Sequence, residues 1–145
     1  MLALRPLLCL SALLAVSVLR AGATEGVQVV AGVDEPVPVP SGQSVTLQDV
    51  IWNAPGTDGM ALRFRFVAPG IAPGGGVDFD AASTDMQHLC DTYALARLAE
   101  FGPAPEQIVI SLSDRAVAFG DAAPDVTQFF ESYRIENGVC VWEMF

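Results

Sequence analysis

The stretch from Thr84 to Phe101, TDMQHLCDTYALARLAEF, is the one segment whose apolar residues recur with a strong helical period, so the rest of the chain must supply a surface to cover it. Thr84 is the expected N-cap, with Gln87 at the capping-box spacing that satisfies two orphan backbone donors. Asp85 in the first turn suits the helix dipole. Met86, Leu89, Cys90 and Tyr93 fall at i, i+3, i+4 and i+7, a single apolar stripe. Asp85, His88, Asp91 and Thr92 are assigned to the opposite, solvated face. Leu95 and Leu98 lie off the stripe, which predicts a bend or a second short helix near Ala94 to Ala96, stopped by Gly102 and Pro103.

What this helix is fastened to follows from the cysteines. Arg5, the apolar run Leu7 to Leu19 and Ala21-Gly22-Ala23 have the order of a secretory signal peptide, residues 1–23, cleaved after Ala23 and delivering the chain to the periplasm or the medium. The run is shorter than the ~20 residues of a spanning helix, and no membrane span is expected after cleavage. Of the three cysteines Cys9 goes with the leader, and an even pair in an exported chain predicts a Cys90–Cys140 disulfide. Closing a loop of about fifty residues stabilises the fold by roughly 4 kcal/mol on chain-entropy grounds. Two reduced core cysteines are the rival. A nucleophilic Cys90 lacks activating residues on its own face of the helix.

Loss of Arg5 and Arg20 takes the formal charge from −10 to −12, because five arginines and no lysine remain against 17 acidic residues. Such a charge repels nucleic acid and anionic lipid, which excludes both as partners.

Residues 24–44 carry Pro36, Pro38 and Pro40 before Ser41-Gly42 and are expected to form an extended polyproline arm, a tether more than a partner's ligand. Residues 45–145 are expected to form a single α+β domain. Val45 to Trp52 is its first strand, ended by Asn53-Ala-Pro-Gly. In Ala61 to Ala68, Leu62, Phe64 and Phe66 alternate with Arg63 and Arg65, the pattern of a half-buried antiparallel strand. Gln107 to Ser113 alternates in the same way, and residues 126–132 are ambiguous between helix and strand. Asn137-Gly138 is the strongest hairpin signal, pairing Glu136 with Val139, Ile135 with Cys140, Tyr133 with Trp142 and Glu131 with Met144. Ile135, Tyr133, Cys140 and Trp142 then share a face. The disulfide joins that face to the helix stripe, so the expected fold is a two-layer α+β sandwich of about four to five mostly antiparallel strands with one main helix on one face.

Three constellations carry chemistry on paper. His88 with Asp85 and Asp91 forms a carboxylate–imidazole set, or part of a metal site if Asp78 or Asp80 joins it; a solvated polar face is the plainer expectation. Arg63, Arg65 and Arg134, projecting from one side of the sheet, form a possible anion-binding face, against the bland alternative of surface ion pairing. Ser111, Ser113, Asp114 and Arg115 close a strand, but a serine nucleophile needs a base and the single His is on the helix. No nucleophile elbow, phosphate loop, dinucleotide fingerprint or metal-type Cys/His array occurs, and no cofactor is expected.

The segments LRFRFVAP, DMQHLCDTYAL, IVISLSDR, TQFFESYRIENG and CVWEMF together resemble a family of short exported proteins of unknown function from alphaproteobacteria, over about residues 40 to 145. The resemblance implies no activity and no assigned residues. Members sometimes carry the label acetolactate synthase, which does not suit a short exported chain without a GDG-type cofactor motif. Two functions follow as expectations. The first is a non-enzymatic envelope module that binds a protein or small anion through its arginines; the alternative is a small hydrolase or metal-dependent enzyme built on His88, Asp85 and Asp91.

Overall fold

A computed structural model describes residues 26–56 and 59–144; the expected signal peptide lies outside the described residues. The fold is α+β, with one main helix against a sheet of six strands instead of four to five. Strands β1 (Gln28–Pro36), β2 (Thr46–Gly56), β3 (Gly59–Val67), β4 (Gln107–Ser113), β5 (Gln128–Glu136) and β6 (Val139–Glu143) lie side by side in chain order. All pairs are antiparallel except β3 with β4, whose parallel pairing is made by the helical crossover between them.

The added strand comes from the segment expected to be a polyproline arm. Only its last residue, Pro36, is a proline, and β1 is an edge strand, where a missing amide donor is tolerated. Tyr93 donates its hydroxyl to Glu35 at 2.7 Å and Arg97 pairs with the same carboxylate at 2.9 Å, tying β1 to the helix. The prolines after it form the turn into β2. Asp85 closes this turn, accepting from the Ser41 amide and hydroxyl and from the Gln43 amide group.

Helix α1 (Phe79–His88) starts earlier than Thr84: Asp78 is its N-cap and accepts from the Ala81 amide at 2.9 Å. Thr84 stands inside the helix and donates its hydroxyl to the Asp80 carbonyl. The expected irregularity is a π turn over Leu89–Ala94, followed by Leu95–Arg97 and a 3-10 turn Leu98–Phe101 that stops at Gly102, φ 94°. One extra residue in the turn brings Tyr93 and Ala94 inward with Leu89 and Cys90, and lets Leu95 and Leu98 pack at the core margin.

The core lies between this helix and Leu62, Phe64 and Phe66 of β3, which stand opposite Ile108, Ile110 and Leu112 of β4. Cys90 and Cys140 are disulfide-bonded across it. In the terminal hairpin Glu136 faces Val139, Ile135 faces Cys140 and Tyr133 faces Trp142, with Asn137 and Gly138 both at positive φ as the tight turn requires. The ladder ends at Ser132 opposite Glu143, so Glu131 and Met144 do not pair with each other, and Trp142 is half exposed. Residues 128 onward belong to β5, so most of the ambiguous segment is strand. All seven residues of β4 are buried, because residues 114–127 fold back over the second face of the sheet.

Candidate functional site

On that second face Arg63 and Arg65 project from alternate positions of β3 toward the returning loop. Across the ladder, Ile51 stands opposite Arg63, and Asp49 opposite Arg65. Asp49 and Arg65 form a buried ion pair at 3.2 Å. Burial lifts the Asp49 carboxyl above its ordinary pKa, while Arg65 and then Gln48 draw it back down. Arg65 also donates to the Val117 carbonyl, which accepts a second bond from the Gln48 side chain at 2.7 Å. The Val117 amide returns to Gln48 at 3.3 Å, so the loop is clamped from both sides. At its two ends, the Asp114 amide donates to the Thr127 carbonyl at 3.0 Å and the Thr127 amide to the Asp114 carboxylate at 3.2 Å.

The clamp sets Phe119 over both guanidinium groups, 6.0 Å from Arg63 and 5.6 Å from Arg65 to the ring centroid. Gly120 at φ 88° then turns the chain, and the Asp121 amide donates to the Ala118 carbonyl at 3.1 Å. The result is a partly open cleft of about 260 Å³, walled by both arginines, residues 117–121 and Gln128. Gln128 donates its side-chain amide to the Ser111 hydroxyl.

The two arginines are not equivalent. Among the described residues Arg65, Arg97, Arg115 and Arg134 each have a carboxylate within 4.0 Å, and Arg63 has none. Its Nε is buried without a hydrogen-bond partner. Burial, and then the neighbouring Arg65 charge, lower the Arg63 pKa from its ordinary value. A buried donor of this kind is costly unless something accepts from it.

Arg134 does not join this pair. It is exposed at the terminal hairpin and is engaged by Glu136 at 2.7 Å and Glu143 at 3.4 Å, which raise its pKa. The expected three-arginine face is therefore a two-arginine cleft, because the ladder places Arg134 on β5, with β4 between it and β3. Phe119, Asp121 and Gln128 complete the cleft, and no spacing or motif in the sequence marks them.

The helix constellation comes apart. Asp85, assigned to the solvated face, is fully buried and its carboxylate takes three donors. Four residues before Leu89, it lies on the buried stripe. Asp91 accepts from the Cys140 amide and the Gln87 side chain, each at 3.0 Å. His88 hydrogen-bonds to neither acid, but it lines a shallow groove together with Asp91, Pro40, Thr84 and Gln87. Among the described residues no group of three His, Cys, Asp or Glu side chains could hold a metal ion. In the strand-end set, Ser111 accepts from Gln128 and Asp114 pairs with Arg115 at 3.0 Å.

A second cleft of about 270 Å³ opens where the helix ends, between Trp52, Met60, Phe101, Pro103 and Pro105. Its one acid, Glu106, is already bonded to the Met60 amide at 2.5 Å, so its wall is apolar with its charge engaged.

Residues 15–145 match the model of a family described as a family of unknown function, DUF6497. The chain belongs to that family. No curated protein and no solved structure matches this DUF6497 chain.

Proposed function

We propose that this DUF6497 protein is a non-catalytic binding module of the cell envelope that holds a small anionic ligand on Arg63. One observation carries the proposal: in a chain of strong negative charge, Arg63 is the described arginine without a carboxylate partner, its Nε is buried without a hydrogen-bond partner, and its side chain lines a cleft. A carboxylate there would accept a charge-assisted hydrogen bond from the Arg63 guanidinium, with Phe119 as an apolar wall. The cleft's volume suits a small molecule and not a polymer. The disulfide is in keeping with an oxidising compartment, and the leader-like sequence of residues 1–23 with export. No described helix is long and apolar enough to cross a membrane.

Hydrolytic or metal chemistry at His88 has less to support it, since Asp85 is committed to the turn before β2 and Asp91 to the β6 backbone. Calorimetric titration at low salt with small carboxylates, both plain and amino-substituted, tests the proposal. At least one should bind saturably and lose about tenfold or more in affinity in Arg63→Gln. Absence of binding across the panel, or equal affinity in the variant, would remove it.

A further inference from the structure

The anion proposed for Arg63 must share its cleft with an acid. Asp121 lines the same space, is exposed, and like Arg63 has no opposite charge within 4.0 Å among the described residues. Its position is set by the backbone, through the turn at Gly120 and the bond from its amide to Ala118. One cleft thus presents a guanidinium and a carboxylate that form no ion pair with each other, with Val117 and Phe119 lining the same space. A simple anion would gain from Arg63 and be repelled by Asp121. A ligand carrying both charges a few bonds apart would satisfy each.

Building on the anion site proposed above, we infer that the cleft takes a zwitterion of amino-acid size. Its carboxylate lies on Arg63, its ammonium group on Asp121, and its side chain against Phe119. Arg65 does not compete for the carboxylate, because Asp49 holds its charge. The mixed lining also rejects the polyanions and amines that a cleft of one sign would admit.

Three probes with one skeleton separate the contributions: leucine, 4-methylpentanoate, which lacks the amine, and 3-methylbutylamine, which lacks the carboxylate. Titrated into the oxidised protein, leucine should bind about tenfold more tightly than 4-methylpentanoate, and the amine should bind more weakly than either. Asp121→Asn should erase the preference for leucine without weakening 4-methylpentanoate, and Arg63→Gln should weaken both acids. Equal binding of leucine and 4-methylpentanoate to the unmodified chain, or a preference that survives Asp121→Asn, overturns the zwitterion and leaves the anion site standing. Failure of both acids to bind overturns the zwitterion, and absence of binding across the wider panel of carboxylates overturns the anion site with it.

Discussion

Arg63 and Arg65 stand two residues apart on the same face of β3 under the same Phe119 ring, yet Asp49 pairs with Arg65 alone. One arginine is thereby part of the fold and the other is left with an unspent charge. The difference comes from the ladder, which sets Asp49 opposite Arg65 and the apolar Ile51 opposite Arg63.

Stability should separate the pair. Arg65→Ala leaves the Asp49 carboxylate buried and unpaired and frees the Val117 clamp, so urea unfolding should show a loss of about 3 kcal/mol. Arg63→Gln removes no ion pair and should change stability by less than about 0.5 kcal/mol. A larger loss at Arg63 than at Arg65 would contradict the assignment.

Asp85 and His88 are expected to behave oppositely to a helix with both on its wet face. Asp85→Ala strips the acceptor from the Ser41 amide and the Gln43 side chain and should cost about 2–3 kcal/mol. His88→Ala should fall within about 0.5 kcal/mol of the parent. Denaturant midpoints of the two variants check the order.

Reduction should destabilise the chain by about 4 kcal/mol, because Cys90 and Cys140 are separated by 50 residues and their bond limits the unfolded ensemble. Unfolding curves with and without reductant measure it. Equal midpoints, or two free thiols found by mass measurement in protein purified without reductant, would count against the bond.

Acid should loosen the loop over the cleft before the sheet unfolds. Asp114 holds both ends of that loop, and its pKa is lowered by the Arg115 side-chain bond and by the Thr127 amide. A carboxyl with a depressed folded-state pKa contributes stability above its unfolded value, near 3.8, and loses it as pH falls through the lower folded value. Hydrogen exchange of residues 115–126 should therefore accelerate, relative to β4, as pH falls below about 4. In Asp114→Asn the loop should exchange faster at neutral pH and show little further response to acid.

How much of this was legible depended on whether the deciding contact is local. Asn137-Gly138 needs only its own turn, and it placed Tyr133, Ile135 and Cys140 in correct register, which with Cys90 determined which helix face meets the sheet. Gln107–Ser113 was visible as a strand from alternation alone. Long-range polar partners were not visible. Glu35 holds β1 through Tyr93 and Arg97, some sixty residues away. Asp85 is buried because Ser41 and Gln43 arrive from the preceding turn, which a helical projection does not contain. The cleft was half legible: alternation put Arg63 and Arg65 on the second face, but Phe119 and Asp121 reach them only through the fold-back held by Gln48 and Asp114. Arg134 looked equivalent in sequence because pleat parity says nothing about distance along or across a sheet.

The central claim is that the Arg63 guanidinium, unpaired with any described carboxylate, is the group on which the cleft holds an anion, and its Nε–H reports on that charge. Its side-chain resonance in an ¹⁵N-labelled sample, assigned by its absence from Arg63→Gln, can be followed during titration with leucine and with 4-methylpentanoate. A saturable downfield shift of that one resonance, with the Arg65 Nε–H little changed, is the predicted result. If the Arg63 resonance stays in place while either ligand binds, or if neither ligand moves it at saturating concentration, the account is wrong.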